Sequence, residues 1–212
     1  MTPARRREVA GVIAKANVTL IEDDACGLLD RDSAPLAASI GERTYFLASL
    51  SKCLAPGLRV SLVAAPDRTA ADMVAGALRA TMQMAPPLTT ALAIRWLQDG
   101  SADAIIAAIR AEAVFRQKLA AKALAGQAYV AHRNGHHLWL PLPLSWSRVE
   151  FAGYVQRRGL IVITSDAFSV GGEPVHAIRV SLGAVPSRAD LVRGLTILAA
   201  SLNSSPVAQE IV

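Results

Sequence analysis

The chain has 212 residues, of which 52% are hydrophobic and only 5% are aromatic. That length allows one large domain or two small ones with a sizeable core. The most apolar long stretch, residues 45–65, is interrupted by Lys52, Pro56 and Arg59, which excludes a membrane-spanning helix of about 20 apolar residues there. The net charge of +5 is spread along the chain rather than gathered in a block. We therefore expect this segment to contact neither nucleic acid nor membrane.

The cysteine count and the N-terminal residues bear on the location of the protein. Cys26 and Cys53 are too few for a disulfide framework, so a reduced, cytoplasmic location is expected. Three arginines at residues 5–7 precede a short apolar run, but Lys15 interrupts that run and no cleavage pattern follows. A secretory signal peptide is therefore not expected.

Short β-rich runs alternate with helical segments in the first hundred residues. Thr2 and Pro3 suit the cap and the first position of a helix that ends near Ala16. Three strands are predicted after it, at residues 18–21, 44–48 and 60–64. All three runs are apolar with little alternation, which predicts an α/β fold whose sheet is covered on both faces.

Helical patterns take over from about residue 69. Ser101 is predicted to cap a long helix that ends near Leu124. We place the domain boundary at the start of this helix, which divides the chain into residues 1–102 and 103–212.

The second part has an α+β pattern. Ser147-x-x-Glu150 and Ser187-x-x-Asp190 predict the first residues of two helices, the second of them the last helix of the chain. Short strands are predicted at residues 137–140, 160–163 and 178–182.

Histidines and tryptophans give no separate functional signal. His136 and His137 lack further ligands at a useful spacing, so we expect no metal site. Trp96, Trp139 and Trp146 are expected to pack in the core rather than to contact a substrate.

The residues around Lys52 indicate a cofactor-anchoring loop. Two small hydroxyl residues, Ser49 and Ser51, precede the lysine, and Arg59 follows a Pro-Gly turn. A lysine amine forms a Schiff base with an aldehyde, while hydroxyls and a guanidinium bind phosphate. The pattern therefore predicts a phosphorylated aldehyde cofactor. A lone lysine in a loop is ordinarily a solvated charge, so the prediction depends on these neighbours.

Two further charged residues lie at or in predicted strands. Asp23 follows a buried strand, where open α/β sheets place functional groups, and its carboxylate can pair with a pyridine nitrogen. Arg179 lies in an apolar strand, where a charge is costly unless it is paired, and a substrate carboxylate can supply that partner. The alternatives are a strand-end or helix-capping acid for Asp23 and the solvated face of an edge strand for Arg179.

Four motifs occur together in this chain. They are Glu-Asp-Asp-Ala (22–25), Ser-x-Ser-Lys-x-Leu-Ala-Pro-Gly-Leu-Arg (49–59), Ala-Phe-Ser-Val-Gly-Gly (167–172) and Ile-Arg-Val-Ser-Leu-Gly (178–183). Their order and spacing resemble fold-type I aminotransferases of class I/II, and above all the aminotransferase-like domain of MocR-type members of the GntR regulator family.

The resemblance implies a fold, a cofactor and partners. The fold is the C-terminal part of a large, mainly parallel-sheet domain, followed by a small α+β C-terminal domain. The cofactor is pyridoxal 5'-phosphate, attached as an aldimine to Lys52, and the substrates are an amino acid and a 2-oxo acid. The implied partner is a second copy in a homodimer, or a complementing N-terminal half.

The resemblance also implies a role for each site residue. Asp23 would contact the pyridine nitrogen, and Arg179 the substrate carboxylate. The phosphate would be bound by Ser49, Ser51 and Arg59. Cys26 stands where family members of the Asp-x-Ala-Tyr type carry a tyrosine that donates to the phenolic oxygen of the cofactor.

Met1 aligns with the middle of the family domain, so we expect this chain to be the C-terminal part of a longer protein. The glycine-containing phosphate loop, the stacking aromatic and an asparagine of the family site would then lie upstream. Three hypotheses follow: an aminotransferase that acts through Lys52, an effector-sensing domain of a transcriptional regulator that binds the cofactor without productive turnover, and an inactive remnant.

Overall fold

The computed structural model describes residues 1–30 and 34–204. The chain divides into two compact units, Met1–Ile109 and Arg110–Val212. The division falls inside a long helix, α5 (Ser101–Ala123), and each unit has its own sheet.

The first unit consists of a three-stranded sheet and surrounding helices. Its elements in chain order are α1 (Pro3–Ala16), β1 (Leu20–Asp23), α2 (Ala37–Ile40), β2 (Thr44–Ser49), β3 (Ser61–Ala64), α3 (Arg68–Thr81) and α4 (Pro87–Gln98).

Helix α1 begins and ends as its sequence indicates. The Thr2 hydroxyl accepts a hydrogen bond from the Arg5 amide at 3.3 Å, and Pro3 occupies the first turn. At the other end Asn17 adopts a left-handed conformation (φ 51°), and the Val18 amide donates to the Ile13 carbonyl at 3.4 Å. Because that amide closes the helix, the strand predicted from residue 18 begins two residues later.

The sheet has the order β1-β2-β3, with one parallel and one antiparallel pair. The parallel pairing of β1 with β2 sets Asp23 opposite Leu47. The C-terminal ends of β1 and β2 therefore meet at one edge of the sheet, where Asp23 and Ser49 both end their strands.

The expected coverage of the sheet on both faces is not found within the described residues. All four residues of β3 are exposed, and Ile21 of β1 is 71% exposed. Helix α1 covers only part of β1, through a small cluster that contains Ala10, Ile40 and Leu20.

The second unit is an antiparallel sheet packed against helices. After α5, the elements of this unit in chain order are β4 (Val130–Ala131), β5 (His137–Pro141), α6 (Arg148–Arg157), β6 (Ile163–Thr164), β7 (Ala177–Ser181) and α7 (Arg188–Leu202). The strand order is β4-β5-β7-β6, so β7 is an inner strand with a neighbour on each side.

One face of this sheet forms the core of the second unit. Alternate residues of β5 and β7 are buried in one apolar cluster with residues of α5, α6 and α7: Leu138, Leu140, Ile178 and Val180. Residues that alternate with these, Trp139 and Arg179, pair directly in the register and lie on the opposite face.

Side-chain caps fix the helix starts. Ser147 and Glu150 form the predicted capping box, and the Ser187 hydroxyl accepts from the Asp190 amide at 3.0 Å. Ser101 differs from its prediction: Asp99 accepts a hydrogen bond from the Ser101 amide at 3.0 Å, so Ser101 is the first helical residue rather than the cap. In the described ranges every helix is too short or too polar to span a bilayer.

Candidate active site

The Lys52 loop connects β2 to β3 and is held by the core. Its ends are joined by a hydrogen bond from the Leu50 amide to the Val60 carbonyl at 3.2 Å. Inside the loop the Leu54 amide donates to the Leu50 carbonyl at 2.9 Å, which closes one helix-like turn. Five apolar side chains of this region are buried in the core of the first unit: Leu50, Cys53, Leu54, Leu58 and Val60. Lys52 itself is exposed. The fixed backbone therefore presents one amine outward.

The two hydroxyl residues adjoin the lysine as the motif predicts. Ser49 ends β2, and its hydroxyl accepts a hydrogen bond from the Ser51 amide at 3.3 Å. The Ser49 carbonyl accepts from the Cys53 thiol at 3.4 Å. Both serines are half-buried, and the exposed Lys52 directly follows Ser51 in the chain.

Arg59 ends the loop in an unusual backbone conformation. Its φ is 53°, in the left-handed region that a residue with a side chain seldom adopts. Its neighbours Leu58 and Val60 are buried, whereas Arg59 is exposed. The buried neighbours thus hold the backbone in a conformation that costs about 1–2 kcal/mol and turn a guanidinium outward.

Asp23 lies at the adjoining strand end. Its carboxylate accepts from the Ala25 amide at 3.2 Å, and the Asp24 amide continues the ladder to the Leu47 carbonyl at 2.9 Å. Asp24 differs from Asp23 in its surroundings: burial raises the pKa of its carboxyl, and the nearby Glu22 carboxylate adds to this.

Electrostatics connect Cys26 to Lys52. Desolvation raises the pKa of the Cys26 thiol, and the Lys52 ammonium opposes this increase, while Asp24 and Asp23 reinforce it. Such interactions act only between nearby groups. Lys52 and Asp23 therefore lie within electrostatic reach of Cys26 in the first unit, and their roles in a cofactor site stay predictions.

A further acidic residue supports this edge. The Glu22 carboxylate accepts from the amides of Leu36 and Ala37, each at 2.8 Å, and Arg6 lies 3.9 Å from it. Glu22 thereby joins β1 to α2 and helps to fix the strand that carries Asp23. The Glu-Asp-Asp-Ala motif contains this residue, but its bonding to a segment fourteen residues away has no sequence signature.

Arg179 lies on strand β7 of the second unit. Strand β7 is an inner strand, so the alternative of an edge-strand arginine is wrong. The Arg179 Nε atom is buried and has no hydrogen-bond partner among the described residues. The guanidinium carbon lies 4.8 Å from the centre of the Phe168 ring. An external carboxylate partner for Arg179 stays a prediction.

Two aromatic contacts around Arg179 in the second unit were not visible in the sequence pattern. Phe168 lies in the Ala-Phe-Ser-Val-Gly-Gly motif, and its ring meets Trp139 edge-on at 5.7 Å. Trp139 was predicted to be a packing residue, yet it is only half-buried and contacts an aromatic ring beside Arg179. Among residues 1–30 and 34–204, no three His, Cys, Asp or Glu side chains are placed to hold a metal ion.

Comparison with known structures shows the fold. A kynurenine aminotransferase of Pyrococcus horikoshii superposes on the whole chain with a TM-score of 0.84, at 20% identity and over 53% of its own length. LysN, an α-aminoadipate aminotransferase of Thermus thermophilus, covers 95% of the chain with a TM-score of 0.81, at 21% identity and over 55% of its length. The chain has the fold of the aminotransferases. The resemblance inferred from the four motifs is thus confirmed.

Sequence relatives come from another functional class. An uncharacterised HTH-type transcriptional regulator of Bacillus subtilis, YdeF, is 34% identical over 93% of this chain and 43% of its own length. YdcR, an uncharacterised HTH-type regulator of Escherichia coli, is 31% identical over 81% of this chain and 38% of its own length. The aminotransferase-like chain thus spans less than half of either regulator. No protein-family model matches it.

Proposed function

We propose that this chain is a pyridoxal-phosphate-dependent, aminotransferase-like protein that holds its cofactor covalently through Lys52. The observation that carries the proposal is the Lys52 loop. Buried neighbours fix its backbone, and the exposed lysine follows two hydrogen-bonded serines in sequence and precedes an arginine held in a left-handed conformation. The aminotransferase fold supports the same function.

The donors present fit this cofactor. The Ser49 and Ser51 hydroxyls and the Arg59 guanidinium are suited to a phosphate, since hydroxyls donate singly and a guanidinium donates in pairs. Asp23 offers a carboxylate that keeps a pyridine nitrogen protonated. When bound, such a cofactor withdraws electrons from the α-carbon of an amino acid.

The chain's own residues then have separate roles. The Lys52 Nζ atom, once displaced by the substrate amine, would carry a proton from the substrate α-carbon. Arg179 would bind the substrate carboxylate through its in-plane donors. Cys26 would face the phenolic oxygen, where its thiol is a weaker donor than a tyrosine hydroxyl. Amino-group transfer to a 2-oxo acid is the proposed reaction.

Titration of the purified chain with pyridoxal phosphate tests the proposal. We expect a visible absorbance band that Lys52→Ala abolishes. Lys15→Ala, which removes a lysine from the last turn of α1, serves as the matched control and should leave the band unchanged. A band that persists in Lys52→Ala would contradict the assignment.

A second function is favoured by the sequence relatives. Both are HTH-type transcriptional regulators, so the chain would serve as an effector-sensing domain that binds the cofactor without productive turnover. Incubation of the cofactor-loaded protein with amino acids and 2-oxo acids separates the two functions. Formation of the new amino acid supports the enzyme, whereas a spectral change without product supports the sensor.

The oligomeric state and the cellular location of the protein are also proposed. A homodimer in the cytoplasm is consistent with the cysteine content and with the exposed sheet of the first unit. Light scattering of the purified chain tests the dimer, and a monomeric mass would contradict it.

A further inference from the structure

Arg179 lies on an open and largely apolar face of the second unit. In the register it is flanked by Trp139 of β5 and Ile163 of β6. Both neighbours are apolar, and the sheet's other face is occupied by the core. The strand therefore offers the guanidinium no acid on either side.

The guanidinium is held by an aromatic ring instead of by an acid. Its central carbon lies 4.8 Å from the Phe168 ring centre, within the range of a cation–π contact. Its buried Nε has no hydrogen-bond acceptor among the described residues. A guanidinium stacked on a ring keeps its in-plane N–H groups available, and these are the groups that bind a carboxylate in pairs.

Phe168 is itself fixed at the end of a 3₁₀ turn, Ser165–Phe168. Asp166 in that turn accepts from the Thr164 hydroxyl at 2.7 Å and from Arg148 Nε at 2.8 Å. The Ser165 hydroxyl donates to the Val175 carbonyl. On the side of the sheet, Trp139 meets the Phe168 ring at 5.7 Å with an interplanar angle of 70°. The ring thus has a defined position although Phe168 is 46% exposed.

We infer that Phe168, supported by Trp139, is a positioning residue that holds the Arg179 guanidinium ready for a carboxylate. The inference rests on the proposed role of Arg179 in binding the substrate carboxylate. The Phe168 ring would restrict the conformations of the Arg179 side chain before the ligand binds. Less conformational entropy is then lost on binding.

Nuclear magnetic resonance of the Arg179 Nε–Hε group in the full chain tests the positioning directly. We expect a rigid signal in the unsubstituted protein and in Phe168→Tyr, which keeps the ring. In Phe168→Leu the signal should become that of a mobile side chain. Phe115→Leu is the matched control, because it removes a second Phe–Arg stack in the same unit, over Arg188 at 3.7 Å, without touching Arg179.

Titration with pyruvate, followed at the backbone amides of Ile178 and Val180, tests the consequence for binding. Phe168→Leu should weaken pyruvate binding about fivefold, in the range of a single cation–π contact. Phe168→Tyr and Phe115→Leu should bind within about twofold of the unsubstituted chain. Arg179→Gln should lose the response.

The outcomes separate the two proposals. If Arg179→Gln loses the response while Phe168→Leu stays rigid and binds normally, the positioning role is wrong and the carboxylate role survives. If Arg179→Gln still responds, or the unsubstituted chain never responds, the carboxylate role is wrong. In that case a rigid Arg179 signal in Phe168→Leu overturns the positioning role as well, and a mobile one supports it.

Discussion

Arg59 has a strained backbone conformation and is also a proposed phosphate ligand. Its φ of 53° suits glycine, so Arg59→Gly should raise the free energy of unfolding by up to about 1 kcal/mol. The same change removes a guanidinium from the proposed phosphate site, which should weaken pyridoxal phosphate binding at least about tenfold. Urea unfolding and cofactor titration measure the two effects.

Gln83 provides the control for this prediction. It also has a left-handed backbone, with φ 63°, but lies outside the Lys52 loop. Gln83→Gly should stabilise the chain to a similar degree without loss of cofactor affinity. If Arg59→Gly binds the cofactor as tightly as Gln83→Gly does, Arg59 is not a phosphate ligand.

Cys26 reports on the position of Lys52. Desolvation raises the thiol pKa and the Lys52 ammonium opposes that increase, so Lys52→Ala should raise the pKa further. At a fixed pH near 8 less thiolate is then present, and alkylation by iodoacetamide should slow several-fold. Cys53 is fully buried, so the fast reaction belongs to Cys26. An unchanged rate in Lys52→Ala would show that the two side chains are not neighbours.

Charged contacts join α5 to α7 in the second unit. Glu112 binds Arg188 Nη2 at 2.6 Å and Arg116 Nε at 2.7 Å. Arg116 is buried and also donates to the carbonyls of Leu182 and Val185, each at 2.8 Å. Glu112 thus joins the two arginines, and Arg116 in turn joins α5 to the segment that precedes α7.

This connection predicts a pH dependence. The hydrogen bond from Arg188, followed by that from Arg116, lowers the pKa of Glu112 from 4.5 to about 2. A lowered pKa contributes stability that is complete above about pH 5 and is lost as the pH falls towards 2. Glu112→Gln should therefore cost about 1 kcal/mol at neutral pH, discounted for solvent exposure, and the difference should shrink on acidification. Urea unfolding across this pH range measures it. A difference that does not change with pH would contradict the lowered pKa.

The capping box of α6 predicts an effect on stability that is independent of function. The Ser147 hydroxyl accepts from the Glu150 amide at 3.2 Å, and the Glu150 carboxylate accepts from the Ser147 amide at 3.2 Å. Ser147→Ala removes the first of these bonds and should lower the free energy of unfolding by about 1 kcal/mol. Denaturant unfolding measures this loss, and an unchanged midpoint would show that the box contributes nothing.

Helix starts marked by side-chain caps could be predicted from the sequence, and so could the strand starts at Thr44 and His137, but two other strand starts could not. The caps at Thr2, Ser147 and Ser187 are local hydrogen bonds between near neighbours, so a short motif contains them. Strands predicted from residues 18 and 160 instead begin at Leu20 and Ile163. In both cases an amide of the predicted strand is used to close the preceding helix: the Leu160 amide donates to the Val155 carbonyl at 2.9 Å, as Val18 does in α1.

Among the candidate site residues, too, contacts between residues close in sequence could be predicted, whereas contacts between distant residues could not. Lys52 and its serines lie in one continuous motif, so their proximity was predictable. The bonding of Glu22 to α2 and the stacking of Phe168 on Arg179 join residues 11 or more positions apart. Such contacts depend on how strands and turns pack, and the hydrophobic periodicity of the sequence does not predict them.

The structural neighbours and the sequence relatives of this chain carry different names for one fold. The two solved structures compared above are aminotransferases, while the two sequence relatives are HTH-type transcriptional regulators. Both proposed roles require the cofactor at Lys52, so the claim of covalent attachment there can be tested before the two roles are distinguished.

Reduction with borohydride in the presence of pyridoxal phosphate, followed by peptide mass spectrometry, tests that claim most directly. The chain has three other lysines with which to compare the label: Lys15, Lys118 and Lys122. We predict a stoichiometric label on the peptide that contains Lys52 and only trace label on the others. A label spread evenly over the four lysines, or concentrated on one of the other three, would contradict the account.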